Sequence, residues 1–188
     1  AKSVARVGAR VAARRIVVSA SPELFLSFDP ATRRVVTRPM KGTAPRASNP
    51  AHDAALRLEL QQSVKNRAEN LMIVDLVRND LSRVCEVGSV TVPHLLEVES
   101  YAQVHQLVST VRGTLAAGFD PVDAVIACFP AGSMTGAPKI SAVRILDNLE
   151  QRPRGIYSGA FGYFGLDGSV DLAMVIRSIV LDSRGATM

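Results

Sequence analysis

Cysteine is scarce in this sequence. Cys85 and Cys128 stand in separate segments, with neither a CxxC pair nor a Cys/His cluster around them. That excludes a disulfide framework and a cysteine-based zinc site, and a reducing cytoplasm is the simplest setting. No apolar run is long enough to cross a bilayer, so no membrane partner is expected. Internal repeats and low-complexity tracts are missing too. Acidic residues are absent from residues 1–15, which hold Lys2, Arg6, Arg10, Arg14 and Arg15. These account for the whole net charge of +5, because the other 17 basic residues meet 17 acidic ones. The basic excess is therefore a leader of unknown role, residues 1–15, ahead of a neutral body. Arg6, Arg10 and Arg14 share one face if the leader is helical. A nucleic-acid arm or a transit peptide carries such a pattern. The leader has no aromatics to stack on bases and little serine, so no nucleic-acid partner is expected.

What is present suits one soluble domain. The 188 residues are 47% apolar and 21% charged, enough to bury a core. Residues 15–20 and 24–28 read as strands rich in β-formers. Asp29 to Thr32 is a turn with Pro30 second, and 34–38 returns as a strand. Residues 44–48 form a loop. Asn49-Pro50 opens one long helix to about Arg83, with Leu56, Leu60, Val64, Leu71 and Leu76 near one stripe. On it, Asp75, Arg78, Asp80 and Arg83 read as ordinary surface pairs. A short strand at 89–92 stops before Pro93, and 97–103 is mixed and polar. Residues 104–115 alternate as a strand. Asp120-Pro121 starts a second helix. Residues 130–139 form a Gly-rich loop, and Pro138 opens a third helix with Ile140, Val143, Leu146 and Leu149 on its apolar face. Leu166-Asp167-Gly168 joins strands 157–164 and 169–181 in a hairpin. Antiparallel groups between helices predict an α+β fold, not a strict βαβ alternation.

Four places invite chemistry. Lys41 stands between Pro39, which fixes φ, and Gly42, which tolerates φ > 0 and close approach of a ligand; Thr43 adds a hydroxyl. A desolvated lysine there is a candidate nucleophile. Glu23, after Ser21-Pro22, is a candidate general acid if burial raises its pKa. Glu69, in the middle of the long helix, is a candidate Mg²⁺ ligand. Tyr157 and Arg177 suit an anionic, hydroxylated substrate. The Gly132–Lys139 loop fails as a phosphate loop: its glycines are four apart and Ile140 follows the lysine.

Six ordered blocks then carry a resemblance. They are Ser21-Pro22-Glu23, Arg38 to Thr43, Glu69 to Asp80, Gln106 to Val111, Gly132 to Lys139 and Tyr157 to Tyr163. Together, over about residues 16–182, the chain resembles the chorismate-utilising enzymes. These include anthranilate synthase component I, aminodeoxychorismate synthase component I, isochorismate synthase and salicylate synthase. The resemblance implies the chorismate-binding fold of that family, present only in part. Lysine at position 41, where anthranilate synthases usually carry a small residue, points to the aminodeoxychorismate synthase branch, with anthranilate synthase or a non-catalytic fragment as alternatives. It implies chorismate as substrate, Lys41 as nucleophile, Glu23 as general acid, and Mg²⁺ held partly by Glu69. It implies a pocket lined by Gly42, Thr43, Gln106, Ser133, Tyr157 and Arg177. Ammonia would come from a glutamine amidotransferase partner, and the product would serve 4-aminobenzoate and folate synthesis.

The chain departs from the family pattern in three ways. Many relatives carry His at the Gln106 position; His105 is one residue off and faces the other way on a strand. Asn66 stands where relatives often have an acid. The family also continues beyond this C-terminus, with a Gly-rich strand and an acidic helix that supplies further Mg²⁺ ligands. Residues 16–188 are therefore expected to be a partial catalytic domain, inactive or weakly active alone.

Overall fold

The computed structural model describes residues 15–182 and 185–187. The leader expected over residues 1–15 lies outside the described residues, Arg15 excepted. The described chain opens with β1 (Ile16–Ser19), β2 (Leu24–Asp29), β3 (Arg34–Arg38) and β4 (Met40–Pro45). At the turn between β2 and β3, Asp29 accepts hydrogen bonds from the Ala31 N–H and the Thr32 hydroxyl, the short-range bonding that makes Asp a turn residue.

The single helix predicted to Arg83 is two. Asn49 caps α1 (Pro50–Gln62) by accepting from the N–H groups of Ala51 and His52. At Ser63 the backbone leaves the helical region (ψ 109°), and its hydroxyl accepts from Asn66 N to start α2 (Val64–Ser82). Serine competes with the helix for its own backbone bonds, so one residue ends the first helix and caps the second.

The strand predicted to stop before Pro93 continues as β5 (Thr91–Ser100), through the stretch read as mixed and polar. Among the described residues β5 bonds only β6 (Val104–Thr114), so it is an edge, where a proline without N–H is tolerated. Register slips around His94 and a left-handed Leu96 (φ 56°) absorb the misfit.

Next come α3 (Pro121–Cys128), whose Asp120 and Asp123 cap each other's backbone, α4 (Gly132–Thr135) and α5 (Lys139–Glu150). α4 is one helical turn inside the predicted loop. On α5 the apolar residues Ile140 and Leu149 lie exposed. β7 (Ala160–Phe164) begins three residues later than predicted and pairs with β8 (Val170–Met174) as the expected hairpin. The second strand does not run on to Leu181. It breaks at residues 175–177, where Arg177 takes φ 49°, and resumes as β9 (Ser178–Asp182).

β9 belongs to a separate antiparallel sheet, between β1 and β10 (Gly185–Thr187). The larger sheet runs β4-β6-β3-β2-β8-β7, with β5 on β6. β3 and β4 divide β6 between them: β3 pairs with Val111–Thr114 and β4 with Val104–Val108. α2 packs on β6 and β4. Its Ile73, Val77 and Leu81, four apart, enter one core with Leu26, Val35, Val111 and Leu115 from the sheet. Each such side chain contributes roughly 1.5–3 kcal/mol by leaving water. The class is α+β, as expected. Among the described residues no helix is long and apolar enough to cross a membrane.

Candidate active site

Lys41 sits on a bulge, not on the turn that its neighbours suggest. Met40 faces Val108 and Thr43 faces Gln106, so three steps on β4 match two on β6. The extra residue falls at Lys41-Gly42, and Gly42 takes φ 95°. A bulge of this kind re-aims the side chain it carries. Lys41 turns inward, and its Nζ donates to the Ser133 carbonyl at 3.2 Å. Pro39 anchors the other side, its carbonyl accepting from Ser109 N.

Glu23 reaches the same place from the start of β2. It is 8% exposed. Burial, the largest effect, raises its carboxyl pKa above the ordinary carboxylate value. A hydrogen bond from the Ser133 side chain, the Lys41 charge, the Met40 N–H and the Arg177 charge pull in the opposite direction without prevailing. The result is a carboxyl of raised pKa beside the Lys41 side chain. Arg177 arrives through the left-handed break after β8, whose carbonyl accepts from Ala20 N. That break explains a charge in an otherwise apolar run: residue 177 is a corner between two sheets.

The structure thus brings Glu23, Lys41, Ser133 and Arg177 together. Thr43 and Gln106 are cross-strand partners beside them, Gln106 buried and Thr43 exposed. His105, next to Gln106, is tied by its ring nitrogens to the Ser100 hydroxyl (2.8 Å) and to Asp53 (3.1 Å). Tyr157 belongs to a different surface. Its ring is half exposed and lies 5.8 Å from the Arg154 guanidinium, in an open groove of about 310 Å³. Glu23 and Ser133 line a cavity of only about 20 Å³. That volume corresponds to about one water.

Glu69 stands apart from both. Its side chain is 41% exposed, with Lys65 Nζ 4.0 Å away. Among the described residues no three His, Cys, Asp or Glu side chains gather to hold a metal. Mg²⁺ needs one or two carboxylates besides waters and substrate oxygens, in near-octahedral geometry. One half-exposed carboxylate beside an ammonium does not by itself make that site.

Sequence reasoning missed three supports. Asp80, read as part of a surface pair, is buried and accepts from Lys139 Nζ at 2.5 Å. Asn70 is wholly buried and accepts from the Ser109 hydroxyl at 2.5 Å. Gly132 lies against α2, where a Cβ would fall 2.5 Å from Leu76 Cδ2. The lysine closing the Gly-rich loop is the visible signal: it does not fit the phosphate-loop pattern, and it reaches Asp80 instead.

The family model of the chorismate binding enzymes matches residues 7–188. An aminodeoxychorismate synthase from Streptomyces pristinaespiralis is 57% identical over 92% of this chain and 24% of its own length. The chloroplastic aminodeoxychorismate synthase of Arabidopsis thaliana is 53% identical over 90% of this chain and 18% of its own length. Anthranilate synthase component 1 of Streptomyces coelicolor is 49% identical over 89% of this chain and 32% of its own length. The chain thus spans under a quarter of the aminodeoxychorismate synthases it matches. The crystal structure of anthranilate synthase component I from Streptococcus pneumoniae superposes with a TM-score of 0.81 at 38% identity, over 92% of this chain and 37% of that one. With the family model covering nearly all of it, this chain belongs to the chorismate binding enzyme family.

Proposed function

We propose that this chain is part of the catalytic domain of an aminodeoxychorismate synthase, which converts chorismate and ammonia to 4-amino-4-deoxychorismate for 4-aminobenzoate and folate synthesis. The observation that carries the reading is the meeting of the Lys41 side chain and a buried carboxyl of raised pKa at Ser133. The Lys41 amine adds to ring C2, the double bonds shift, and the C4–O bond breaks. Glu23 delivers the proton that lets the C4 hydroxyl leave as water. Ammonia then adds at C4, the double bonds shift back, and the C2–N bond breaks to return the Lys41 amine. The Glu23 carboxylate takes the surplus proton, so chorismate and ammonia give product and water. Arg177 offers a planar fork to a substrate carboxylate. Gly42, Thr43 and Gln106 complete the pocket in this reading, and a glutamine amidotransferase supplies the ammonia. The buried free thiols of Cys85 and Cys128 suit a reducing compartment such as the cytoplasm.

The higher identity to aminodeoxychorismate synthases than to anthranilate synthases supports this choice. The test is product identity from chorismate and ammonia, by chromatography and mass spectrometry, on the polypeptide that carries this chain. The expected product is 4-amino-4-deoxychorismate. Lys41→Ala abolishes it, and the wild type starved of ammonia accumulates a chorismate-derived adduct on the Lys41 peptide. Formation of 2-aminobenzoate, or full activity of Lys41→Ala, overturns the reading.

A further inference from the structure

Asp80 and Lys139 touch neither Lys41 nor Glu23 in the hydrogen bonds described, yet they govern the segment that meets both. We propose that Lys139 is a positioning residue, anchored by Asp80, that closes residues 129–138 into a ring and holds Ser133 against Lys41 and Glu23.

Lys139 is the first residue of α5, and Cys128 is the last of α3. The Lys139 ammonium donates to the Cys128 carbonyl at 3.0 Å, so one side chain spans both ends of the intervening segment. That carbonyl is among the four at the helix end without an intrahelical partner. A second bond from the same ammonium runs to Asp80 Oδ2 on α2 at 2.5 Å. The Asp80 side chain is 4% exposed and that of Lys139 14%. Arg83 reinforces the joint: it lies 3.5 Å from the other Asp80 oxygen and donates to the Ala127 carbonyl.

The middle of the segment is pinned independently. Gly132 presses on Leu76 of α2 with no room for a Cβ. Gly136 N bonds the Gly132 carbonyl, and the Thr135 hydroxyl bonds the Ala131 carbonyl, so α4 holds its turn. Ser133 is therefore fixed from three sides, with its carbonyl at Lys41 and its side chain at Glu23. A buried ion pair suits this task, because separating it strands an uncompensated charge. An exposed pair would not hold the ring closed.

The functional meaning of the lock rests on Lys41 being the reacting amine; the lock itself is tested without turnover. The experiment is competitive acylation of the whole protein with acetic anhydride, read residue by residue by peptide mass spectrometry. Lys65, with its side chain 84% exposed, is the internal reference. In the wild type Lys41 reacts more slowly than Lys65. In Lys139→Met the Lys41 to Lys65 ratio rises about 5-fold, the weight of one released hydrogen bond. The double variant Asp80→Asn/Lys139→Met strands no charge, so it melts nearer the wild type than the single variant does and keeps the raised ratio. Leu115→Ala, which loosens the core elsewhere, leaves the ratio unchanged. An unchanged ratio in the double variant with native far-UV dichroism overturns the proposal. So does an equal rise in Leu115→Ala. A raised ratio in a protein that does not turn over chorismate upholds the lock and refutes the proposed reaction.

Discussion

The Cβ that Gly42 lacks would fall 2.9 Å from Cγ of Asn66 and 3.0 Å from Leu60 Cδ1. The bulge carrying Lys41 is thus backed by the start of α2, and its φ of 95° is one that L side chains rarely adopt. Asn66, where the family resemblance leads one to look for an acid, serves here as the wall behind the lysine. Gly42→Ala should destabilise the protein by about 2 kcal/mol through backbone strain alone, with the clash adding to it. Urea denaturation measures the loss. Far-UV dichroism should stay close to wild type, because the strain falls on one bulge and not on a whole element.

Glu23 sets a pH dependence whose sign follows from its burial. The folded state favours the proton, because burial raises this carboxyl above its ordinary value of 4.5. The stabilisation from burying a neutral acid is fully present below pH 4.5 and is lost as pH rises through the raised value. Glu23→Gln has no proton to lose. Its stability relative to wild type should therefore grow as pH rises from about 4 toward neutrality. Chemical denaturation of both proteins across that range checks it, and a difference that shrinks with pH contradicts the sign.

Much of this was legible in the residues. Proline beside a capping side chain marked the starts of α1 and α3, and Asp167-Gly168 marked the hairpin. These signals are local, so the chain carries them whatever it packs against. Gly42 flagged a backbone with φ > 0 beside the lysine, and it has one. What failed was non-local. Whether β5 could run through Pro93 depended on that strand being an edge. Arg177 turned out to be a corner because β8 and β9 enter different sheets. Asp80 resembled a surface acid because its partner Lys139 lies 59 residues away. Helix periodicity cannot distinguish a buried carboxylate that has found a distant cation from one that faces water.

Ser109 and Asn70 give a prediction for the floor beneath the site. The Ser109 hydroxyl donates to Asn70 Oδ1 and accepts from Leu96 N at 2.9 Å, and all of it is buried. Ser109→Ala leaves both groups without a partner, at about 1–3 kcal/mol for an unmade buried bond. The urea midpoint should fall with an unchanged slope. Faster hydrogen exchange at the Leu96 amide, above the global effect, would localise the loss to this network.

The carboxylate arithmetic at Glu69 gives the last prediction. Mg²⁺ added to this chain without substrate meets one half-exposed carboxylate with the Lys65 ammonium 4.0 Å away. The ammonium opposes a second cation, and no group of three His, Cys, Asp or Glu side chains that could hold a metal forms among the described residues. Titration calorimetry should therefore show no saturable binding tighter than about 1 mM, the range of the weakest oxygen-ligand cation sites. Glu69→Gln should barely change that trace. Lys65→Ala should strengthen binding slightly by removing the competing charge, and the more so at low salt. Sub-millimolar saturation that disappears in Glu69→Gln would mean that further oxygen ligands join Glu69, beyond those the described residues bring to it.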